Sequence, residues 1–227
     1  VATYFKMEPP PPDNEKKDKA EIIFVLDSAH LEVAKVGKGY QLLNSDDHAN
    51  FIRRHKNDPS IYRPDILHQS LLAILDSPLN KAGRVKAVYV STTKNVLFYV
   101  NPQIRIPRTF RRFCGLMVQL LQKLSIRATN GPDKLMKVIK QPVTKHLPVG
   151  SKRVGFSFSA PTVVPLPQFV TDIQPDSSTV FVLGAFAHGK VDVSYVDQML
   201  SISEYPLSAA CCIGRICNSL ENKWNII

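Results

Sequence analysis

Apolar and polar positions along this 227-residue chain fall into a few recognisable patterns. Residues 21–27, EIIFVLD, form an unbroken β-branched and aromatic run that predicts a strand buried on both faces, and residues 180–183, VFVL, predict another. Residues 85–90 and 96–100 read as a strand pair around the polar turn Thr92-Thr93-Lys94-Asn95. In residues 153–159, Val154, Phe156 and Phe158 alternate with small or polar residues, as a strand requires. Ile66, Leu67, Leu71, Ile74 and Leu75 keep helical spacing, as do Leu116, Met117, Leu120, Leu121 and Leu124 within a helix predicted over 113–124. Shorter helices are predicted at 49–55 and 134–140, and residues 31–59, with Gly37 and Gly39, read as an irregular excursion. Strands separated by helices argue for an α/β fold with mostly parallel pairing.

The ends of the chain and its composition set limits. Residues 1–20 contain four consecutive prolines and a run of alternating charges, which cannot bury a core, so a disordered tail is expected there. Residues 21–227 then form one domain. Lys and Arg exceed Asp and Glu by 29 to 19, a net charge of +10 that favours an anionic partner, nucleic acid before membrane. Cys114, Cys211, Cys212 and Cys217 include no CxxC pair and no histidine at metal-ligand spacing, so no metal site is expected and reduced, buried thiols are the better reading. No apolar leader and no run of eighteen apolar residues is present, and an intracellular, reducing compartment is expected.

Two stretches carry candidate chemistry. The strand at 180–183 passes directly into Gly184, Ala185, Ala187 and Gly189, and a second small-residue segment, SISEYPLSAA, occupies 201–210. Paired loops of this kind let backbone approach a flat, polar cofactor from both sides. The glycine spacing fits neither the dinucleotide fingerprint nor a P-loop, so phosphate cradling is disfavoured. The other stretch is Arg105-Ile106-Pro107-Arg108-Thr109-Phe110-Arg111-Arg112. Extended at about 3.3 Å per residue, it sets Arg105 and Arg108 roughly 10 Å apart, a useful reach along a nucleic-acid backbone. Phe110 and Phe113 read as core anchors for the following helix. Pro64 suits the first position of the helix at 66–75, and Asp65 suits its first turn, where a carboxylate meets the positive end of the macrodipole.

With LDSPLNKAG at 75–83, VNPQIRIPRTFRRFCGLMVQLL at 100–121, GAFAHG at 184–189 and SISEYPLSAA at 201–210, residues 21–227 resemble the pseudouridine-N1-specific small-subunit ribosomal RNA methyltransferases of the SPOUT class. The resemblance implies an α/β sheet with helices on both faces and a C-terminal trefoil knot at about 153–217, and a homodimer. It implies S-adenosylmethionine held by Phe156, Gly184 and Gly189, and by Ile202, Ser203, Glu204, Tyr205, Pro206 and Leu207. It places RNA on Arg63, Arg105, Arg108 and Arg112, with Asp65 orienting Arg63 and an RNA-binding excursion at about 77–112. Arg111 lies outside the pattern.

The implied reaction moves a methyl group to N1 of a pseudouridine in small-subunit pre-rRNA, in the nucleolus of the nucleus, alongside small-subunit assembly factors and ribosomal proteins. N1 must lose its proton, and the sequence identifies no single base: Asp65, Asp76 and Glu204 are candidates, each with an ordinary structural role open to it. Cationic arginines that favour the ionised nucleobase are the other route. A non-catalytic pre-rRNA-binding assembly factor is the alternative function. The segment after Pro206, from Ser208 to Gly214, serves either knot packing or a dimer interface. His188 reads as a loop residue.

Overall fold

The computed structural model describes residues 20–129, 131–189 and 194–227. The predicted tail lies outside these residues except for Ala20, which is buried in the core. The order of elements is β1 (Glu21–Ala29), β2 (Val33–Val36), β3 (Gly39–Leu42), α1 (Ser45–Arg54), α2 (Pro64–Leu75), α3 (Pro78–Lys81), β4 (Val85–Thr92) and β5 (Leu97–Val100). It continues with α4 (Phe110–Lys123), β6 (Ser125–Arg127), β7 (Lys134–Ile139), β8 (Lys152–Phe156), α5 (Leu166–Thr171), β9 (Ser178–Gly184), β10 (Gln198–Leu200) and α6 (Ala209–Lys223).

Eight strands form one sheet in the order β10-β8-β9-β1-β4-β5-β7-β6. From β10 to β4 every pairing is parallel, and from β4 to β6 every pairing is antiparallel. The central position of β1 explains its unbroken apolar run. Ile22, Phe24 and Leu26 enter one core with α2, α4 and α6, while Ile23 and Val25 enter a second core on the opposite face. Leu67, Leu71 and Ile74 of α2 and Ile213, Ile216 and Leu220 of α6 are all fully buried in the first core. On the second face, where the resemblance implied helices, no α-helix packs among the described residues: the cover is the 3-10 turn Val143–His146 with Leu147, Tyr195 and Val196. No described helix is long and apolar enough to cross a membrane.

Several elements differ from the sequence reading. In place of the helix predicted at 134–140 the chain forms β7, Lys134–Ile139, hydrogen-bonded to β5 and β6. A register shift between Ile126 and Arg127 accompanies two consecutive inward residues, Leu135 and Met136, and this break in alternation imitates a helical pattern. The excursion after β1 is ordered: β2 and β3 make a hairpin whose turn uses Gly37 at φ 63°. Helix α1 begins earlier than 49, because Asn44 accepts from the amides of Asp46 and Asp47 at 3.1 and 2.8 Å and so caps a polar first turn. Helix α4 likewise starts at Phe110, three residues before the predicted bound. Strand β8 stops at Phe156, leaving Phe158 58% exposed. Cys217 is buried as expected, but Cys211 is exposed on the first turn of α6, because it lies on the side of the helix away from Ile213 and Ile216.

Candidate cofactor and RNA site

Parallel strands present their carboxyl ends together, and it is there that open α/β sheets leave a crevice. In this chain Phe156 ends β8, Leu200 ends β10 and Gly184 ends β9, and the loops that follow enclose a cavity of about 540 Å³. The amide of Ala185 donates to the Asp27 carbonyl at 2.8 Å, extending the β1–β9 pairing one residue into the loop. Phe186, Ala187, His188 and Gly189 then turn along the cavity wall. Gly189 sits at φ 141°, a conformation side chains with a Cβ rarely adopt, and an added Cβ would touch the Phe186 ring.

The opposite wall is two segments bonded through their backbones. Ser157 donates to the Leu200 carbonyl at 3.0 Å, Ser201 to Thr162 at 2.8 Å, and Val164 to Ser201 at 2.8 Å. Within the second segment the Ser201 hydroxyl donates to the Ser203 carbonyl at 2.8 Å, and the Tyr205 amide donates to the Ser203 hydroxyl at 3.0 Å. Ser208 caps α6 by accepting from the Cys211 amide at 3.2 Å, so Ala209 and Ala210 bring the positive end of a 15-residue helix to the cavity. Beneath this wall Gly155 permits β8 to lie against β10: a Cβ there would collide with the Met199 sulfur.

Arg63, Ile66 and Gln69, from the start of α2, supply the remaining side. Arg63 makes a bidentate pair with Asp65, Nε to Oδ1 at 2.8 Å and Nη2 to Oδ2 at 2.7 Å, which raises the guanidinium pKa above its ordinary value. Asp65 is also the second residue of α2, so one carboxylate both faces the helix dipole and holds Arg63. Arg63 and His188 are the basic residues of the described lining, and no carboxylate is among them. Burial pushes the Cys212 thiol up to about 11, which keeps it protonated and uncharged.

Seven of the residues expected to hold a cofactor line this cavity: Phe156, Gly184, Gly189, Ile202, Ser203, Tyr205 and Leu207. Glu204 and Pro206 belong to the same loop but are exposed and stand outside the lining. The RNA set is divided. Arg63 joins the cavity, whereas Arg105 and Arg108 line a second one of about 590 Å³ with Leu72, Leu75 and Asp76, at the other end of α2. A 12-residue helix spans about 18 Å, so the two groups are that far apart. Arg108 pairs with Asp76 at 3.0 Å, and Arg112 is exposed on the first turn of α4.

Sequence reasoning missed His68 and Asn80, which hold the arginine segment in place. The His68 Nε2–H donates to the Pro107 carbonyl at 2.7 Å, and the ring stacks on Phe113 with centroids 4.5 Å apart. Phe113 is fully buried, the core role predicted for it. Asn80 donates to the carbonyls of Leu75 and Pro102 at 3.0 and 2.9 Å, tying the end of α2 to the loop before Arg105. The position of Asn80 next to a Ser-Pro helix start was the available signal. Ser157, Ser159 and Phe158 also line the cavity, and only the tertiary pairing with Leu200 reveals them. Among the described residues no cluster of His, Cys, Asp and Glu could hold a metal ion.

The sequence model of the EMG1/NEP1 methyltransferase family matches residues 24–221. The human ribosomal RNA small subunit methyltransferase NEP1 is 56% identical over 206 residues, covering 91% of this chain and 83% of that protein. The Staphylothermus marinus ribosomal RNA small subunit methyltransferase Nep1 is 30% identical over 196 residues, 83% of each chain. Among solved structures, Archaeoglobus fulgidus Nep1 bound to S-adenosylhomocysteine superposes with a TM-score of 0.66 at 24% identity, covering 92% of this chain and 99% of that one. That likeness carries the fold.

Proposed function

This chain belongs to the EMG1/NEP1 methyltransferase family, and from that premise we propose that it methylates N1 of a pseudouridine in small-subunit rRNA, with S-adenosylmethionine as methyl donor. The observation that carries the reading is the cavity at the strand ends: about 540 Å³, walled by glycine, alanine and serine together with aromatic and aliphatic side chains, with Arg63 at its edge. The volume suits a ligand of this size, and the small residues let main-chain donors and acceptors reach a polar, flat molecule. The relatives' names and the S-adenosylhomocysteine in the archaeal neighbour support the same cofactor.

When bound, S-adenosylmethionine supplies an electrophilic methyl group on a sulfonium. The chain's own residues account for the rest. The first turn of α6, at Ala209 and Ala210, offers amide hydrogens and a positive dipole end to the carboxylate of an amino-acid moiety. Residues 157–159 and 201–205 form one wall and residues 184–189 the other, so the ligand is fixed in orientation, which in-line transfer requires above all. Arg63, kept cationic and aimed by Asp65, lowers the cost of an anionic nucleobase and so favours loss of the N1 proton. Of the carboxylates considered as bases, Asp65 is engaged by Arg63, Asp76 lies with Arg108 at the far end of α2, and Glu204 is exposed.

The proposal extends to a C-terminal trefoil knot formed by the segments that wall the cavity, a homodimer, and work on pre-rRNA in the nucleolus with other assembly factors. A non-catalytic assembly factor is the second reading, favoured by the lack of a carboxylate in the described lining. The test uses labelled S-adenosylmethionine and two hairpins, identical except for pseudouridine or uridine in the loop. Transfer to the pseudouridine hairpin alone is expected. Binding of cofactor and both RNAs without any transfer would favour the second reading.

A further inference from the structure

Half of the chain's net charge is concentrated in one stretch of sequence that runs along one edge of the sheet and on into the turn over its second face. Residues 123–145 carry six cations, Lys123, Arg127, Lys134, Lys137, Lys140 and Lys145, against one carboxylate, a net of +5 in a chain of +10. All six are exposed, and none forms an ion pair among the described residues. They contrast with Arg63 and Arg108, each of which is held by a carboxylate.

The register of the strands places this edge relative to the cavity. Gly184 of β9 pairs with Asp27 of β1, Leu26 with Val90 of β4, Ser91 with Leu97 of β5, and Leu97 with Ile139 of β7. The exit of β7, with Lys140, is therefore at the same end of the sheet as the cavity. Four strand spacings of about 4.8 Å put β7 roughly 19 Å from β9. Lys134, Lys137 and Lys140 span about 20 Å of extended chain, a length over which a nucleic-acid duplex displays on the order of ten backbone charges; Lys137 shares the face of Ile139, opposite Met136 and Val138, so the charge flanks the edge on both sides. Their support is fixed: the His146 ring bonds the Lys140 carbonyl at 2.8 Å, and Tyr89 donates to the His146 carbonyl at 3.1 Å.

Lysines also guard sheet edges against aggregation, and β6 is an edge strand of only three residues. That role accounts for charge on β6 and its neighbours. It gives no reason for charge at Lys140, which lies beyond β7 at the cavity end, or at Lys145, on the 3-10 turn that follows. We infer that the β6–β7 edge and its exit loop form a second RNA-binding surface, which holds the phosphate backbone of a stem flanking the nucleotide delivered to the cavity. This inference rests on RNA being the substrate.

The test compares the full chain with a Lys134→Gln/Lys137→Gln/Lys140→Gln variant, by fluorescence anisotropy across a salt series. Two hairpins share one pseudouridine loop, with stems of about four and about twelve base pairs, the longer just over one helical turn. The variant is expected to bind the short hairpin as the parent does. It is expected to lose on the order of tenfold in affinity for the long one, with the log–log salt slope reduced by about 2 to 3. Equal affinity and slope for parent and variant on the long stem, or equal loss on both hairpins, would overturn the inference. Aggregation of the variant with unchanged RNA affinity would assign the lysines to edge protection and overturn it as well. Because the readout is binding, a failure of methyl transfer in the parent counts against the proposed activity and leaves this comparison readable.

Discussion

The cavity at the ends of β8, β9 and β10 combines glycine, alanine and serine with the aromatic and aliphatic side chains of Phe156, Phe158, Phe186, Tyr205, Ile202 and Leu207, and Arg63 and His188 are its basic groups. The cavity beside the end of α2 has a similar volume, yet Lys81, Arg105 and Arg108 line it together with Asp76. Size does not distinguish them; the source of their polarity does. Main-chain dipoles recognise a particular arrangement of hydrogen-bonding atoms and change little with ionic strength, whereas exposed guanidinium groups attract any nearby phosphate and weaken as salt rises. One region suits a small molecule of fixed shape, the other a polyanion. Arg63 is the residue through which α2 connects them.

The largest expected effect falls on that connection. Arg63→Ala should reduce kcat/KM for methyl transfer by about 100-fold or more while changing S-adenosylhomocysteine affinity only slightly. Asp65→Asn should cause a smaller loss, since Arg63 keeps its charge and loses only its brace. Steady-state kinetics with calorimetric titration would separate these effects. An equal fall in cofactor affinity would move Arg63 wholly to the cofactor side. Next in size, Gly189→Val imposes a side chain on a backbone at φ 141° and on the Phe186 ring, and should weaken S-adenosylhomocysteine by about tenfold or more with RNA affinity intact. The converse is expected for Arg105→Ala/Arg108→Ala: unchanged cofactor affinity, and an RNA salt slope reduced by about 2.

The smallest effect is one of pH. Burial lowers the His68 pKa, outweighing the opposite influence of the Pro107 carbonyl and Asp65, and burial lowers that of His30 in the same way. Since the folded chain holds these rings neutral, their contribution to stability is complete above the ordinary value of about 6.5 and declines as pH falls through the lowered folded values. Thermal unfolding should show a lower Tm at pH 5.5 than at pH 7.5. His68→Gln should flatten part of that dependence, and loosening of residues 104–108 should affect RNA binding before cofactor binding.

Much of this division was legible in the sequence because each region advertises its chemistry locally. Gly184, Gly189 and the serines of 201–208 are small where backbone must come close, and Arg105 and Arg108 are charged where phosphate is expected. The strands and helices that bury Phe24, Phe181, Leu71 and Ile216 were legible for the same reason, a periodicity complete within one segment. What was hidden depends on partners distant in sequence. Leu135 and Met136 point inward together only because β7 meets a register shift against β6, and residues 157–164 become a cavity wall only through their bonds to Leu200 and Ser201. The distance between Arg63 and the pair Arg105 and Arg108, set by the length of α2, was hidden in the same way.

On this reading the cavity at the strand ends and the charge-built region beside α2 serve two different ligands. The most direct measurement is a pair of binding isotherms, S-adenosylhomocysteine and a pseudouridine hairpin, each repeated across one range of salt concentrations. Cofactor affinity should stay nearly constant, while RNA affinity should fall with a log–log slope of about −3 or steeper, from four arginines and any lysines that join them. A cofactor affinity that falls as steeply as the RNA's, or an RNA affinity indifferent to salt, would contradict it.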